Sequence, residues 1–93
     1  MILNWSSSFK RAFKKTVKNA PELTEKITAA IKLLEQNPFD PKLKSHKLTG
    51  ILQDNWACSA AFDLRIIFTF VQNPSTSETE ILLINVGTHE EVY

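Results

Sequence analysis

Residues 64–72 read LRIIFTFVQ, a run in which Leu64, Ile66, Phe68 and Phe70 alternate with Arg65, Ile67 and Thr69. Side chains two apart share one face of a strand, so the first set makes an apolar face and the second carries an arginine on the other. An arginine inside an apolar strand is costly unless its head reaches water, a carboxylate or a ligand. The stretch is therefore read as a central strand with one face on a core and Arg65 on the open face. Asp63 shares that open face if the strand extends to it.

Reading outward toward the C-terminus, NPSTSE (73–78) is a hairpin loop leading into TEILLINVG (79–87), a second strand rich in Ile, Leu and Val. Strict alternation puts Ile81, Leu83 and Asn85 on one side and Leu82, Ile84 and Val86 on the other, without deciding which set meets the core. Upstream, WACSAAFD (56–63) is the preceding strand, and HKLTGILQDNW (46–56) holds a short one turning at Gln53-Asp54-Asn55. Before these the period changes. After an opening strand in MILNW, the serines at 6–8 cap a helix whose Phe9, Phe13, Val17 and Ala20 make one stripe, with Lys10, Arg11, Lys14, Lys15 and Lys18 on its other faces. Pro21 opens a second helix carrying Leu23, Ile27, Ala30, Ile31 and Leu34, which ends at Asn37-Pro38, and PFDPKLKS (38–45) is a loop. Helices first and strands after predict an α+β fold: a two-helix hairpin on one face of a mostly antiparallel sheet of four to five strands.

Ninety-three residues suit one domain, 1–93. The first fifteen, MILNWSSSFKRAFKK, carry neither the apolar core of a signal peptide nor a membrane span, so a cytoplasmic protein with no membrane partner is expected. The single Cys58 has no internal partner and reads as a small buried apolar residue; the two histidines lie far apart, and neither a metal site nor a cofactor is expected. The net charge of +1 conceals a division: residues 1–47 hold ten Lys/Arg against four Asp/Glu, and residues 48–93 hold one against six. The basic half suits a polyanion or an acidic protein partner, or simply solvated helix faces.

The residues that carry chemistry are His46, Asp63, Arg65, His89 and Tyr93; no Ser-His-Asp pattern or glycine-rich phosphate loop is present. Cleaving RNA without a metal needs a base for the 2′-hydroxyl, an acid for the leaving 5′-oxygen and a cation for the charge that develops. Histidine suits the first two roles, arginine the third, and an aromatic ring can stack an unpaired base. A structural ion pair with Asp63 is the competing account of Arg65.

The order SHKLTG, DLRIIF, INVGTHEEVY resembles the RelE/ParE superfamily of bacterial type II toxins, and within it the RelE and YafQ-like messenger-RNA endonucleases. The resemblance implies that His46, in an H-x-L-x-G motif, Asp63, ahead of the central strand, and His89, in G-T-H, are catalytic. It likewise places Arg65 at the scissile phosphate and Tyr93 as the terminal aromatic of the site. Gly87 would let the chain leave the last strand and deliver His89 to the open face. Ser59 stands where YafQ-like toxins carry a second histidine, and Asn85 where they carry an arginine, with Arg65 as the replacement cation. Ser59 and Asn85, together with Lys44 and Lys47 beside His46, are the substrate-binding positions. The resemblance further implies a ribosome-dependent, metal-independent endoribonuclease acting on messenger RNA, with no cofactor. Its partners would be a cognate antitoxin, docked for instance on the basic helix, and DNA only indirectly through that antitoxin. Two other readings stay open: a ParE-like toxin that inhibits DNA gyrase, and a degenerate toxin that only binds antitoxin.

Overall fold

A computed structural model describes residues 1–93. In chain order the elements are β1 (Leu3–Trp5), α1 (Ser7–Asn19), a 3₁₀ turn (Pro21–Leu23), α2 (Thr24–Gln36), a 3₁₀ turn (Pro41–Leu43), β2 (His46–Lys47), a 3₁₀ turn (Gly50–Leu52), β3 (Trp56–Ala61), β4 (Leu64–Gln72), β5 (Thr79–Gly87) and α3 (His89–Val92). The strands form one five-stranded sheet in the order β1-β5-β4-β3-β2, antiparallel except for β1, which runs parallel to β5. This is the α+β arrangement expected, with five strands.

The serines divide their work. The Ser6 side chain accepts from the Phe9 N–H at 3.1 Å and caps α1, while the Ser8 hydroxyl donates to the Ile84 carbonyl at 2.7 Å and ties the helix to β5. Trp5 meets Phe9 and Phe13 edge-on, at 4.9 and 5.1 Å between centroids, locking β1 to the same helix. The main core lies between the helices and one face of the sheet: Phe9, Ile27, Ala30, Ile31 and Leu34 pack against Cys58, Leu64, Ile66, Phe68, Ile81, Leu83 and Val86. Leu64, Ile66, Phe68 and Phe70 all face this core, as their alternation requires. Burial pushes the Cys58 thiol up to about 12, leaving it a packing residue.

Strict alternation fails in β5. Phe68 pairs with Leu83 but Ile67 pairs with Asn85, so Ile84 is an extra residue in a β-bulge. The bulge returns Val86 to the core beside Leu83 and turns Asn85 to the open face with Ile67, correcting the side assigned to both. Ile84 then packs with Leu48, Ala57, Ile67 and Val92 in a second, smaller apolar cluster away from the main core.

The tail after β5 is also more ordered than its sequence suggested. Residues 89–92 form a helix closed by a capping box: the Thr88 hydroxyl accepts from the Glu91 N–H at 3.3 Å, and the Glu91 carboxylate accepts from the Thr88 N–H at 2.9 Å. Gly87 is needed for space rather than for an unusual φ, since a Cβ there would stand 3.0 Å from Glu91 Oε1 and 3.2 Å from its Cβ. Val92 buries into the smaller cluster and folds α3 over the open face.

Candidate active site

The register of three strand pairs builds the floor of the site. His46 opposes Ala57, Ala57 opposes Ile67 and Ile67 opposes Asn85; one pleat along, Ser59 opposes Arg65 and Arg65 opposes Gly87. Opposed residues share a face, so His46, Ser59, Arg65 and Asn85 all stand on the face that α1 and α2 leave uncovered.

His46 and Tyr93 line one cleft of about 500 Å³, together with Leu48, Thr49, Ile51, Leu52 and Val92. The His46 ring is set by its own chain: Nδ1 lies 3.2 Å from the Lys44 carbonyl. A carbonyl only accepts, so Nδ1 carries the proton, and in the neutral ring Nε2 is the free acceptor. His89, the first residue of α3, and Tyr93, just past its end, meet edge-to-face at 4.4 Å between centroids. Tyr93 therefore touches the surroundings of both histidines. Partial burial raises its phenol above the ordinary value against the opposing pull of Arg65, so at neutral pH it remains an un-ionised donor with a ring to stack.

Lys44, Ser59, Asp63 and Arg65 line a second hollow of about 410 Å³. Asp63 lies in the β3–β4 turn, not on the strand, with a left-handed φ of 51°. Its Oδ1 accepts from the His89 backbone N–H at 3.3 Å and so connects this hollow to the start of α3. Arg65 forms no ion pair with it. The chain's one ion pair is Lys15–Glu91 at 3.9 Å. The Arg65 Nη1 instead donates over 3.4–3.5 Å to Ser59 Oγ and to the carbonyls of Ala61 and Leu64, while Nε and Nη2 have no protein acceptor. A half-buried guanidinium held this loosely retains most of its donors for an incoming anion.

Two positions line neither hollow: Lys47 borders another, with Leu48, Thr49, Gly50 and Gln53, that shares Leu48 and Thr49 with the cleft, and the Asn85 Oδ1 is occupied by the Val86 N–H at 2.9 Å. The sequence reading missed the apolar wall of the cleft, Leu48, Ile51 and Leu52, and it missed α3, although Thr88-x-x-Glu91 is the spacing of a capping box. No three His, Cys, Asp or Glu side chains gather closely enough to hold a metal ion. No helix is long and apolar enough to cross a membrane.

Comparison with known proteins places this geometry in context. A search of curated proteins found no match. Among solved structures, a copper-bound mutant toxin from Helicobacter pylori superposes with a TM-score of 0.76 at 24% identity, covering 100% of this chain and 99% of that one. YafQ from Escherichia coli gives 0.78 at 16% identity over 98% and 96%, and the E. coli DinJ–YafQ complex 0.72 at 17% identity over the same shares. These similarities establish the fold. The family described as "Bacterial toxin of type II toxin-antitoxin system, YafQ" matches residues 1–93 throughout, and the chain therefore belongs to the YafQ toxins of the RelE superfamily.

Proposed function

We propose that this toxin is an endoribonuclease that cuts messenger RNA held by the ribosome, using side chains and no metal. The observation that carries the reading is that Tyr93 lines a cleft with His46 and packs on the His89 ring, while Arg65 lines a hollow on the same open face. In this reading Tyr93 stacks on the substrate base and His46 Nε2 takes the 2′-hydroxyl proton. The 2′-oxygen then attacks the adjacent phosphorus, forming the new P–O bond. Arg65 neutralises the charge gathering on the non-bridging oxygens, and His89 protonates the 5′-oxygen as its bond to phosphorus breaks. The products are a 2′,3′-cyclic phosphate and a 5′-hydroxyl. Asp63 serves this chemistry by holding the amide of His89. Ser59 and Lys44 border the phosphate hollow.

A cognate antitoxin is the expected protein partner, as DinJ is in the E. coli complex, and contact with DNA would come only through it. The exposed Lys10, Arg11, Lys14 and Lys18 of α1 suit an acidic segment of such a partner.

Charge supports the ribosome-dependent reading: a protein of net +1 holds free RNA weakly at cellular salt and gains from a message presented to it. The test compares naked messenger RNA with translating ribosomes. Cleavage should appear on ribosomes, with little on naked RNA and no inhibition of gyrase supercoiling. Efficient cutting of naked RNA contradicts the ribosome-dependent reading, and gyrase inhibition without cleavage contradicts the nuclease.

A further inference from the structure

Phe62 lies outside the set His46, Asp63, Arg65, His89 and Tyr93. It is the first residue of the two-residue loop between β3 and β4 and is 99% exposed. The register shift between Ser59 and Ala61 and the left-handed Asp63 fix the loop that displays it. A side chain this exposed contributes nothing to the core, and no other ring packs on it, whereas Trp5, Phe9, Phe13, Phe39, Trp56, Phe68 and Phe70 all pair. Its neighbours across the 410 Å³ hollow are the exposed Lys44, which has no ion pair, and the loosely held Arg65. The hollow's one carboxylate, Asp63, accepts from the His89 amide through Oδ1 and pairs with neither cation, so the lining carries two positive charges against one negative. An aromatic face beside two free cations matches a nucleotide: the ring takes a base and the cations take phosphate oxygens.

We propose that this hollow is a second nucleotide subsite, in which Phe62 stacks the base next to the one held by Tyr93 while Lys44 and Arg65 grip the phosphate between them. The inference rests on the nuclease reading and adds a contact outside its acid–base machinery. Stacking accepts any base, so the subsite holds the strand in place without choosing the codon. Phe62 also borders a groove with Lys15, Leu23 and Glu91, where a side chain of a protein partner is the competing occupant. The two free cations favour RNA.

Binding is measured on ribosomes programmed with a message whose scissile 2′-hydroxyl is methylated, so that affinity is read without cleavage. Because Phe62 is exposed, its replacement should leave the melting temperature unchanged. Phe62→Ala and Phe62→Leu should each weaken binding about 5- to 100-fold, while Phe62→Trp should retain it. Making the stacked position of the message abasic should weaken wild-type binding by a similar factor and abolish the difference between wild type and Phe62→Ala. Unchanged binding by Phe62→Ala overturns the subsite, as does wild-type behaviour of Phe62→Leu. So does a wild-type/Ala difference that survives every abasic substitution, or a loss confined to antitoxin binding. If wild type cleaves unmethylated message while Phe62→Ala binds normally, the subsite alone fails; if wild type binds no programmed ribosome, the nuclease reading fails with it.

Discussion

At the scale of single residues, the site gains definition from what each group is not bonded to. His46 has one nitrogen committed to the Lys44 carbonyl and the other free, which is how a general base must present itself. Arg65 is half-buried and pairs with no carboxylate, Asp63 of the same hollow included, so the structural ion pair that would have explained it away is absent. Tyr93 offers a ring and a proton that its raised pKa keeps in place. Its role in the proposed site is stacking, and Tyr93→Phe should therefore cleave within a few-fold of wild type. Tyr93→Ala should lose about 5- to 100-fold in single-turnover cleavage at sub-saturating ribosomes. Equal losses in the two variants would assign the work to the hydroxyl instead.

At the scale of elements, α3 is a helix too short to stand alone, held by its capping box, by Asp63 on the His89 amide and by Val92 in the small cluster. The exposed Lys15–Glu91 pair adds little. A Cβ in Gly87→Ala presses on the Glu91 side chain and should weaken its reciprocal bond to the Thr88 N–H while the Thr88 cap stays, costing less than about 1 kcal/mol, the usual value of a lost N-cap. Faster hydrogen exchange at Glu91 and Val92 and reduced cleavage should accompany it, with a small change in melting temperature; unchanged exchange would show that the box is dispensable. At the other end of β5, the Glu80 carboxylate accepts from Asn73 Nδ2 and Asn4 Nδ2, each at 2.9 Å, and joins β1 to the hairpin loop. These hydrogen bonds, that of Asn73 first, hold its pKa below the ordinary 4.5. A folded-state pKa below the unfolded one adds stability above the unfolded value and loses it as pH falls through the folded value. Glu80→Gln should thus melt below wild type at pH 7, with the gap closing below pH 4.5. A gap independent of pH would remove the carboxylate from the explanation.

Across the whole molecule, the legible parts of the fold were those set by periodicity. The alternation in β4, the apolar stripes of α1 and α2 and the hairpin at 73–78 follow the periodicity, because burial on one face writes a period into the chain; Pro21–Leu23, expected to open α2, instead form a 3₁₀ turn ahead of it. What periodicity could not supply was the bulge at Ile84, which depends on pairing to Ile67 and Phe68, and the contacts of Asp63 and Phe62, which depend on a turn. Arg65 on the open face was legible from the alternation in β4, and the meeting of His89 with Tyr93 is local, four residues apart; His46 reaches Tyr93 only by strand order, which no local pattern encodes. Charge follows the layers in part: α1 carries its lysines on the helix-covered side of the sheet, and its Lys15 pairs with Glu91 of α3.

The most direct measurement is single-turnover cleavage of ribosome-bound message by wild type and His89→Ala, with melting temperatures matched. Loss of a true acid should slow cleavage by about 10²- to 10⁴-fold while binding of the methylated message is retained. Cleavage by His89→Ala within threefold of wild type, about 0.65 kcal/mol in barrier, would contradict the account.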